Sequence, residues 1–533
     1  MHEIITLQLG QRSNYLASHF WNTQESYFTY SKDEEALVDH DIHFRAGVGA
    51  DGSETFTPRT LIYDLKGGFG SLRKINALYE IEEPTVTQGL WNGPAVVQRQ
   101  AAIEQSAYQQ SLDQGIEPSP LTTESVRYWS DFNRVYYHPK SIVQLNEYEL
   151  GSALMPFENW NVGEELFNSL DKEHDLLDRD LRYFAEEADH MQGIQMIAGI
   201  DDAWGGFAAR YMDRIRDEYG KTTVYFWGLE DGFKFVPREK RFIRMSNTAR
   251  SISEIAPQAS LFVPMTVPSA LLPSYVNIDP KSRWHVGGLL STAYETMTLP
   301  SRLRLQNGAR ESLDELVNVL NVNGNQNIAK LRMSIDHNSA PTTGHHRSAR
   351  LNIHAQGRDA RLPSQERRNE DSTSHDDNEL KTHDIDFFPT EASEQSRSRR
   401  TVKVPHIFGQ AETYRADDQK KNHSEQTVDE AGHERARRRV AGLTIIQKTR
   451  VSLSYPLLDS FPHIFAHAST TSSLGVGTSL STDTTVALRI KNLQYIVSRA
   501  IGVDEREVLS NSLGELAEAY EEGWDSGTDD DDD

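Results

Sequence analysis

A short glycine-containing loop near the start of the chain has the features that phosphate binding requires. Gly10 follows an alternating apolar run that predicts a strand, and Gln11 and Asn14 lead into a segment with helical apolar spacing. A loop that ends at a helix N-terminus offers free backbone N–H groups and the positive end of the helix dipole to an anion. Gly10, Gln11 and Asn14 are therefore the candidate cofactor-binding residues, if a nucleotide binds at all.

Two adjacent carboxylates, Asp201 and Asp202, form the second candidate for chemistry. Such a pair could act in acid–base catalysis or bind a metal ion. No histidine or third carboxylate lies close by in the sequence to complete such a site, whereas aspartate is favoured at helix N-caps. The sequence also has no Gly-x-Ser-x-Gly nucleophile motif. It therefore predicts no catalytic residue and no metal ligand, and the helix cap is the preferred interpretation.

Strands that alternate with helices predict that these loops lie on a parallel α/β sheet. The predicted strands are residues 3–9, 60–65, 194–199, 222–227 and 261–263, and the predicted helices are residues 15–28, 162–188, 207–219, 485–500 and 505–520. The Ser/Thr/Gly-rich stretch 469–485 is assigned no strand. The predicted fold class is α/β, with a parallel Rossmann-type sheet, flanking helices, and a second, smaller α/β domain interrupted by a disordered insertion.

The composition excludes several classes of protein. The 533 residues carry a formal net charge of -24 and no cysteine. Phosphate contacts require clustered Lys and Arg, so we expect no direct binding to nucleic acid. Without cysteine there is no disulfide and no thiolate metal site. The N-terminus resembles neither a secretory signal nor a mitochondrial presequence, and no apolar run is long enough for a transmembrane segment, so any contact with an organelle is expected from the cytosolic side.

The predicted organisation depends on a polar stretch in the second half of the chain. Residues 336–441 have too few aromatic side chains to build a core, so we predict a disordered insertion. Its basic clusters are interpreted as solvated linker, and a docking or regulatory motif is the alternative. The predicted units are a degenerate nucleotide-binding domain (1–245), the first part of an intermediate domain (246–335), the insertion (336–441), the second, C-terminal part (442–524) and an acidic tail (525–533).

Roughly the first 230 residues resemble tubulin. Residues 3–14, followed by Phe20 and Trp21, are similar to the beginning of tubulin, and residues 58–65 resemble its second strand. Residues 192–195 and 215–219 flank the position of its main phosphate loop. The resemblance implies the tubulin fold. It also implies that an ancestor of this chain had a GTP-binding site.

The main phosphate loop departs from the tubulin pattern. Tubulin and its bacterial division-ring relative have Gly-Gly-Gly-Thr-Gly-Ser-Gly there, whereas this chain has Asp201, Asp202 and Trp204. At an effective dielectric of about 20, a carboxylate about 4 Å from a phosphate charge is repelled by about 4 kcal/mol. That repulsion costs roughly a thousandfold in affinity unless a metal ion or Arg12 neutralises it. The acidic segment that activates water in tubulin-like polymers is also missing, so we predict no GTPase activity and no cofactor.

Several strings resemble the Misato family of tubulin-like proteins. These strings are residues 20–25, 58–59, 199–207, 295–300 and 456–462. The resemblance implies a role in partitioning mitochondria, in mitochondrial distribution and morphology, and in inheritance of mitochondrial DNA. It also implies a location at the mitochondrion, on its outer surface, and in the cytoplasm.

Three functional hypotheses follow from these patterns. The first is a non-catalytic scaffold or adaptor with protein partners at the mitochondrial surface. The second is a GTP-binding GTPase or polymer-forming switch that holds its nucleotide through Gly10, Gln11 and Asn14. The third is a cofactor in tubulin or actin folding, whose partners would be cytoskeletal or chaperonin subunits.

Overall fold

The computed structural model describes residues 2–29, 36–49, 52, 54–72, 103–232, 236–268, 272–304, 311–335, 383–389, 405–416, 437, 444–466, 472–500 and 503–521. This part of the chain contains two large β-sheets with flanking helices and two small two-stranded sheets. The helices of this part are α1 (Gln11–Ser26), α2 (Ala107–Asp113), α3 (Trp160–His174), α4 (Arg182–Glu186), α5 (Ala203–Glu218), α6 (Arg238–Ile255), α7 (Arg283–Thr298), α8 (Leu313–Leu320), α9 (Thr485–Ala500) and α10 (Val503–Glu518). The strands are β1 (Glu3–Leu9), β2 (Phe44–Val48), β3 (Glu54–Pro58), β4 (Thr60–Lys66), β5 (Ile142–Glu149), β6 (Met191–Gly199), β7 (Thr223–Leu229), β8 (Leu261–Met265), β9 (Lys330–Ile335), β10 (Ile385–Asp386), β11 (Ile407–Arg415), β12 (Ile445–Val451), β13 (Tyr455–Pro456), β14 (Ser473–Leu474) and β15 (Val476–Asp483). The two small sheets are β2-β3 and β13-β14.

The first sheet has six strands in the order β5-β4-β1-β6-β7-β8, and every neighbouring pair is parallel. Leu7 of β1 pairs with Leu61 on one side and with Met196 on the other. Every residue of β1 and β7 is buried, as expected for a parallel sheet that helices cover on both faces. The predicted α/β class with a parallel sheet is therefore confirmed. Because all strands run the same way, the loops that follow them meet at one edge.

The second sheet is mixed and has the order β10-β9-β15-β11-β12, in which only β11 and β12 pair in parallel. Its central strand, β15, is wholly buried, although it lies in the Ser/Thr/Gly-rich stretch 469–485 for which no strand is predicted. Some of its hydroxyl groups find acceptors inside the protein, whereas the buried hydroxyl of Ser481 has no hydrogen-bond partner among the described residues. Thr482 donates to the carbonyl of Leu320 at 2.8 Å, for example. A sequence of small polar residues can therefore form a central strand when its backbone is paired on both sides and some of its hydroxyl groups find internal acceptors.

The prediction of a continuous disordered insertion over 336–441 is wrong for two segments. Residues 383–389 and 405–416 contain β10 and β11, which belong to the second sheet. Phe387 and Phe388 of this interval are almost completely buried. The prediction missed them because two aromatic residues hardly change the average composition of a long polar interval. Apart from Arg437, the rest of this interval lies outside the described residues, as does the acidic tail.

Three predicted boundaries also differ from the structure. The first sheet continues to β8, so the predicted domain boundary at residue 245 falls inside α6. The predicted helix 162–188 is interrupted at Asp175, whose φ of 46° is left-handed, a conformation that aspartate tolerates better than most residues. Helix α5 begins at Ala203 rather than at residue 207. None of the described helices is both long and apolar enough to cross a membrane.

A buried ion cluster on α7 joins the first helix to the second sheet. Glu295 is fully buried and accepts hydrogen bonds from Arg302 at 2.7 Å, from Tyr27 at 3.1 Å and from Gln24 at 3.2 Å. Its other carboxylate oxygen pairs with Arg415 of β11, which is also buried. Burial opposes ionisation, but the two guanidinium groups hold the pKa of Glu295 below its ordinary value. The carboxylate is therefore ionised and compensated on both sides.

Candidate functional site

A cleft of about 690 Å³ lies at the carboxyl edge of the first sheet. The loops after β1, β5, β6 and β7 and the first turns of α6 form its walls. Open parallel sheets bind their ligands at this edge, where the strand order reverses between neighbouring strands. The cleft therefore occupies the position at which the sequence predicts a degenerate nucleotide site.

The three candidate nucleotide contacts lie at the start of α1, and two of them are bonded to one buried carboxylate. Gly10 is the N-cap residue of the helix and has a φ of 84°. Gln11 donates to Asp64 at 2.5 Å and to the carbonyl of Gly68 at 2.7 Å, while Asn14 donates to Asp64 at 2.7 Å. Gln11 lines the cleft, whereas Asn14 is fully buried. Their amide donors are thus engaged within the protein.

Asp64 is the centre of this small network. Burial raises the pKa of Asp64 to about 6, although hydrogen bonds from Asn14, from the backbone N–H of Leu65 and from Gln11 favour the ionised form. The carboxylate fixes the side chains of the first helical turn in place of an external ligand.

Arg12 connects the first loop to the carboxylates that follow β6. Its guanidinium lies 2.5 Å from Asp201, pairs with Asp202 through its other nitrogen, and lies 3.6 Å from Asp231 after β7. Burial raises the pKa of Asp201 to about 7, and Arg12 opposes that shift. The sequence allows for Arg12 as the group that neutralises this pair, and the structure places it there. A guanidinium with these partners is not free for a phosphate.

Asp202 and Trp204 shape the loop that replaces the glycine-rich loop of tubulin. Asp202 is the N-cap of α5 and accepts a hydrogen bond from the backbone N–H of Trp204 at 2.9 Å, so the helix-cap interpretation of Asp202 is confirmed. The indole of Trp204 lies against Gly10, where an added Cβ would overlap the ring. The two loops thus contact each other directly.

The glycines of this loop are used for helix packing. An added Cβ on Gly205 would overlap Ser251 of α6, and one on Gly206 would overlap the carbonyl of Trp160 in α3. These glycines therefore allow α5 to approach two neighbouring helices closely. They do not form a cradle for phosphate, because their open sides face other helices.

The residues at this edge do not fit a nucleoside triphosphate. The backbone of the first loop is covered by Trp204, and the second loop presents two carboxylates that are held by Arg12. A phosphate would have to displace the indole and compete with both carboxylates for one guanidinium. In the described ranges, no group of three carboxylate, imidazole or thiol side chains is placed to bind a metal ion.

Sequence reasoning missed several charged residues of the cleft. Asp231 follows β7, Arg244 lies on α6 at 3.4 Å from Asp231, and Arg283 is the first residue of α7. Asp231 follows a strand and Arg283 begins a helix at the carboxyl edge, so their positions relative to these elements were the available signal. Arg244 lies in the second turn of α6 and had no such signal. Asp64 accepts hydrogen bonds from Gln11 and Asn14. It lies in the tubulin-like string 58–65, but the sequence does not predict these contacts.

Comparisons with known proteins identify the class and then the family. A sequence profile described as "Tubulin domain" matches residues 118–303, and one described as "Misato Segment II tubulin-like domain" matches residues 2–114. Together with the parallel sheet, these matches define a tubulin-like protein. The chain is 52% identical to Protein dml-1 of Neurospora crassa, 46% identical to Protein DML1 of Gibberella zeae and 27% identical to Protein DML1 of Yarrowia lipolytica, each over 100% of both chains. It therefore belongs to the Misato family.

Proposed function

We propose that this chain is a non-catalytic tubulin-like protein that acts in the partitioning of mitochondria and the inheritance of mitochondrial DNA. The proposal includes a role in mitochondrial distribution and morphology, exerted at the outer surface of the organelle and in the cytoplasm. Family membership supports the mitochondrial part. Its partners are proteins, with cytoskeletal and chaperonin subunits as the first candidates.

One observation supports the non-catalytic part most directly. Arg12 and the carboxylates Asp201 and Asp202 form a closed ion cluster at the position where tubulin binds phosphate. The internal cluster replaces the triphosphate in holding the two loops together. The two loops and the sheet that carries them can then remain folded without nucleotide.

Equilibrium binding of labelled GTP to the purified full-length chain, with magnesium, tests this interpretation. We expect no saturable binding in the micromolar range, with tubulin in the same buffer as the positive control. Micromolar, magnesium-dependent binding would support the alternative, a GTP-binding switch. Release of phosphate from GTP at a rate that the purified chain increases would contradict the non-catalytic proposal directly.

Live imaging of the tagged full-length chain tests the mitochondrial part separately. We expect signal at the mitochondrial surface and unequal partitioning of mitochondria after depletion. A diffuse nuclear signal, with normal mitochondria after depletion, would overturn this part. Affinity capture with mass spectrometry tests the folding-cofactor hypothesis, because recovery of neither chaperonin nor tubulin subunits would exclude it.

A further inference from the structure

A second cavity, of about 370 Å³, continues the cleft towards the start of α7. The cavity and the cleft share four lining residues, Arg12, Asp231, Arg244 and Arg283, so they form one trough across the carboxyl edge of the first sheet. Exposed residues line both parts of this trough. A small molecule binds in a pocket that buries most of its surface, whereas an open trough is the shape that receives an extended chain segment.

The two carboxylates that line the second cavity already have cationic partners. Glu230 is buried and pairs with Arg489 of α9. Asp231 lies 3.6 Å from Arg12 and 3.4 Å from Arg244. The pKa of Asp231 is lowered by these cations, first by Arg12, and Arg244 follows. Neither carboxylate therefore needs a cation from an occupant of the cavity.

Two cations at the α7 end of the trough have no such partner. Lys281 and Arg283 line the cavity and are exposed, and neither side chain forms an ion pair in the described ranges. Asp279 does not line the cavity, and it accepts a hydrogen bond from the backbone N–H of Lys281 at 3.0 Å. Arg283 is also the first residue of α7, where the helix dipole adds partial positive charge. This end of the trough therefore presents net positive charge.

The opposite end of the trough exposes apolar side chains. Leu154 and Met155 lie between lining residues of the loop after β5 and are 94% and 53% exposed. Ile243 of α6 also lines the cleft and is 38% exposed. Lys240 of the same helix pairs with Glu158 of the loop at 2.9 Å, which holds the two elements together. Exposed apolar side chains that are grouped in this way mark interaction sites.

We propose that the trough binds an extended segment of a protein partner that is acidic at one end and apolar at the other. The carboxylates of this segment contact Lys281 and Arg283. Its apolar side chains contact Leu154, Met155 and Ile243. Complementary charge at one end alone also fixes the direction in which the segment lies. The inference rests on the proposed function only in taking a protein as the partner.

An anionic bilayer matches the trough less well. Segments that bind anionic lipids carry clusters of about 4–8 Lys or Arg residues on a surface that can lie flat on the membrane. Here Lys281 and Arg283 line a cavity, and the chain as a whole has a net charge of -24, which opposes its approach to a negative surface.

Selection of displayed peptides on the purified full-length chain tests the proposal. The library contains random peptides of about 16 residues, which span about 50 Å when extended. We expect the enriched peptides to have carboxylates towards one end and apolar residues towards the other. Fluorescence anisotropy with a labelled synthetic copy of an enriched peptide then gives its Kd for the native chain and for each variant.

The variants separate the two ends of the trough. Lys281→Glu with Arg283→Glu should weaken peptide binding about tenfold or more, whereas Lys281→Arg with Arg283→Lys should keep it. Leu154→Ser with Met155→Ser should weaken binding about threefold or more, because both side chains are exposed before binding and covered after it.

The matched control is Lys172→Glu with Lys221→Glu. It reverses two exposed cations that do not line the trough and changes the net charge by the same amount, so the Kd should stay within about twofold. Equal weakening by the control and by the Lys281 and Arg283 reversal would overturn the proposal. Failure to enrich any peptide would do the same.

Co-sedimentation with vesicles of phosphatidylcholine and phosphatidylserine tests the bilayer as an occupant. Binding to these vesicles that the Lys281 and Arg283 reversal abolishes would overturn the proposal, because the trough would then recognise a lipid surface. No vesicle binding, together with the expected peptide binding, supports it. Both assays use purified protein, so their outcome is separate from any mitochondrial effect of depletion.

Discussion

Arg12 is the residue on which the charge balance of the cleft depends. It is the cation that contacts both Asp201 and Asp202, and it lies near Asp231 as well. Removing one partner from a buried ion cluster leaves the other charges uncompensated in a medium that solvates them poorly. Single substitutions at this residue should therefore have large effects that depend on pH.

We expect Arg12→Met to lower the free energy of unfolding by about 3–5 kcal/mol at pH 8. The folded-state pKa of Asp201 is raised to about 7 and the unfolded value is ordinary, so the unfolded chain loses its proton first as the pH rises. The stabilising contribution of this carboxyl is complete at low pH and is lost as the pH rises towards 7. Because Arg12 lowers this pKa, the variant should continue to lose stability above pH 7. Urea unfolding at pH 5.5 and pH 8 measures both effects.

The control for this prediction is the double variant Arg12→Met with Asp201→Asn. It should recover part of the stability at pH 8, because one uncompensated carboxylate is gone. An equal loss for Arg12→Met at both pH values would show that the ion cluster has little influence on folding.

At this scale, the sequence predicts part of the site. The helix cap at Asp202 follows from residue type alone, whereas the predicted lack of phosphate binding stays a prediction. The hydrogen bonds of Gln11 and Asn14 to Asp64 cannot be predicted in the same way, because Asp64 lies 53 and 50 positions away from them and meets them only when β1 and β4 pair.

Helix α7 connects the first sheet with the second, and its residue Glu295 forms the ion pairs that make this connection. We expect Glu295→Ala to lower the free energy of unfolding by about 3–5 kcal/mol, because it leaves Arg302 and Arg415 buried without a counter-charge. Chemical denaturation followed by circular dichroism measures the loss. Glu295→Gln, which keeps the size and some hydrogen bonds, should cost less. Equal effects would mean that packing rather than charge dominates here.

The contact between α3 and α5 gives a second prediction for an element. Gly206→Ala places a Cβ on the carbonyl of Trp160 and should lower the unfolding free energy by about 1–3 kcal/mol through overpacking. Thermal unfolding gives the measurement. Gly514→Ala on α10 is the matched helical control, since its nearest atom is the movable amide of Gln494 at 3.3 Å. The control should be neutral or stabilising by up to about 1 kcal/mol, and a stable Gly206→Ala would argue against the close approach.

The elements of the first sheet could be predicted, and those of the second only in part. Strands β1, β4, β6 and β7 are rich in apolar residues, as a buried parallel strand requires. Strand β15 is built from small hydroxyl residues, and β10 has two residues in a long polar interval, so neither has a local signal of burial. Their burial depends on partners that are far away in the sequence.

For the molecule as a whole, the long polar interval divides into segments with different roles. Ser334 and His383 are hydrogen-bonded at 3.1 Å where β9 and β10 pair, so residues 336–382 leave and return at adjacent points. We expect replacement of residues 337–381 by a short Gly/Ser linker to leave the unfolding midpoint nearly unchanged, because loop closure depends weakly on length. Replacement of Phe387 and Phe388 by alanine should instead cost about 3–5 kcal/mol or more, the usual loss for one buried phenylalanine.

Differential scanning calorimetry of the two variants distinguishes these contributions. A large fall in the midpoint for the linker variant would show that residues 337–381 contribute to the folded core. An unchanged midpoint for the Phe387 and Phe388 variant would mean that the β10 segment is dispensable.

The distance in sequence between Glu295 and Arg415 delays the formation of their ion pair during translation. The two residues are 120 positions apart, and translation adds about 5–20 residues each second. Glu295 therefore leaves the ribosome roughly 6–24 s before its partner from β11. The nascent chain must keep this acidic side chain hydrated during that interval, so the N-terminal half cannot complete its packing ahead of the C-terminal half. Packing around Glu295 is therefore completed only after β11 has left the ribosome.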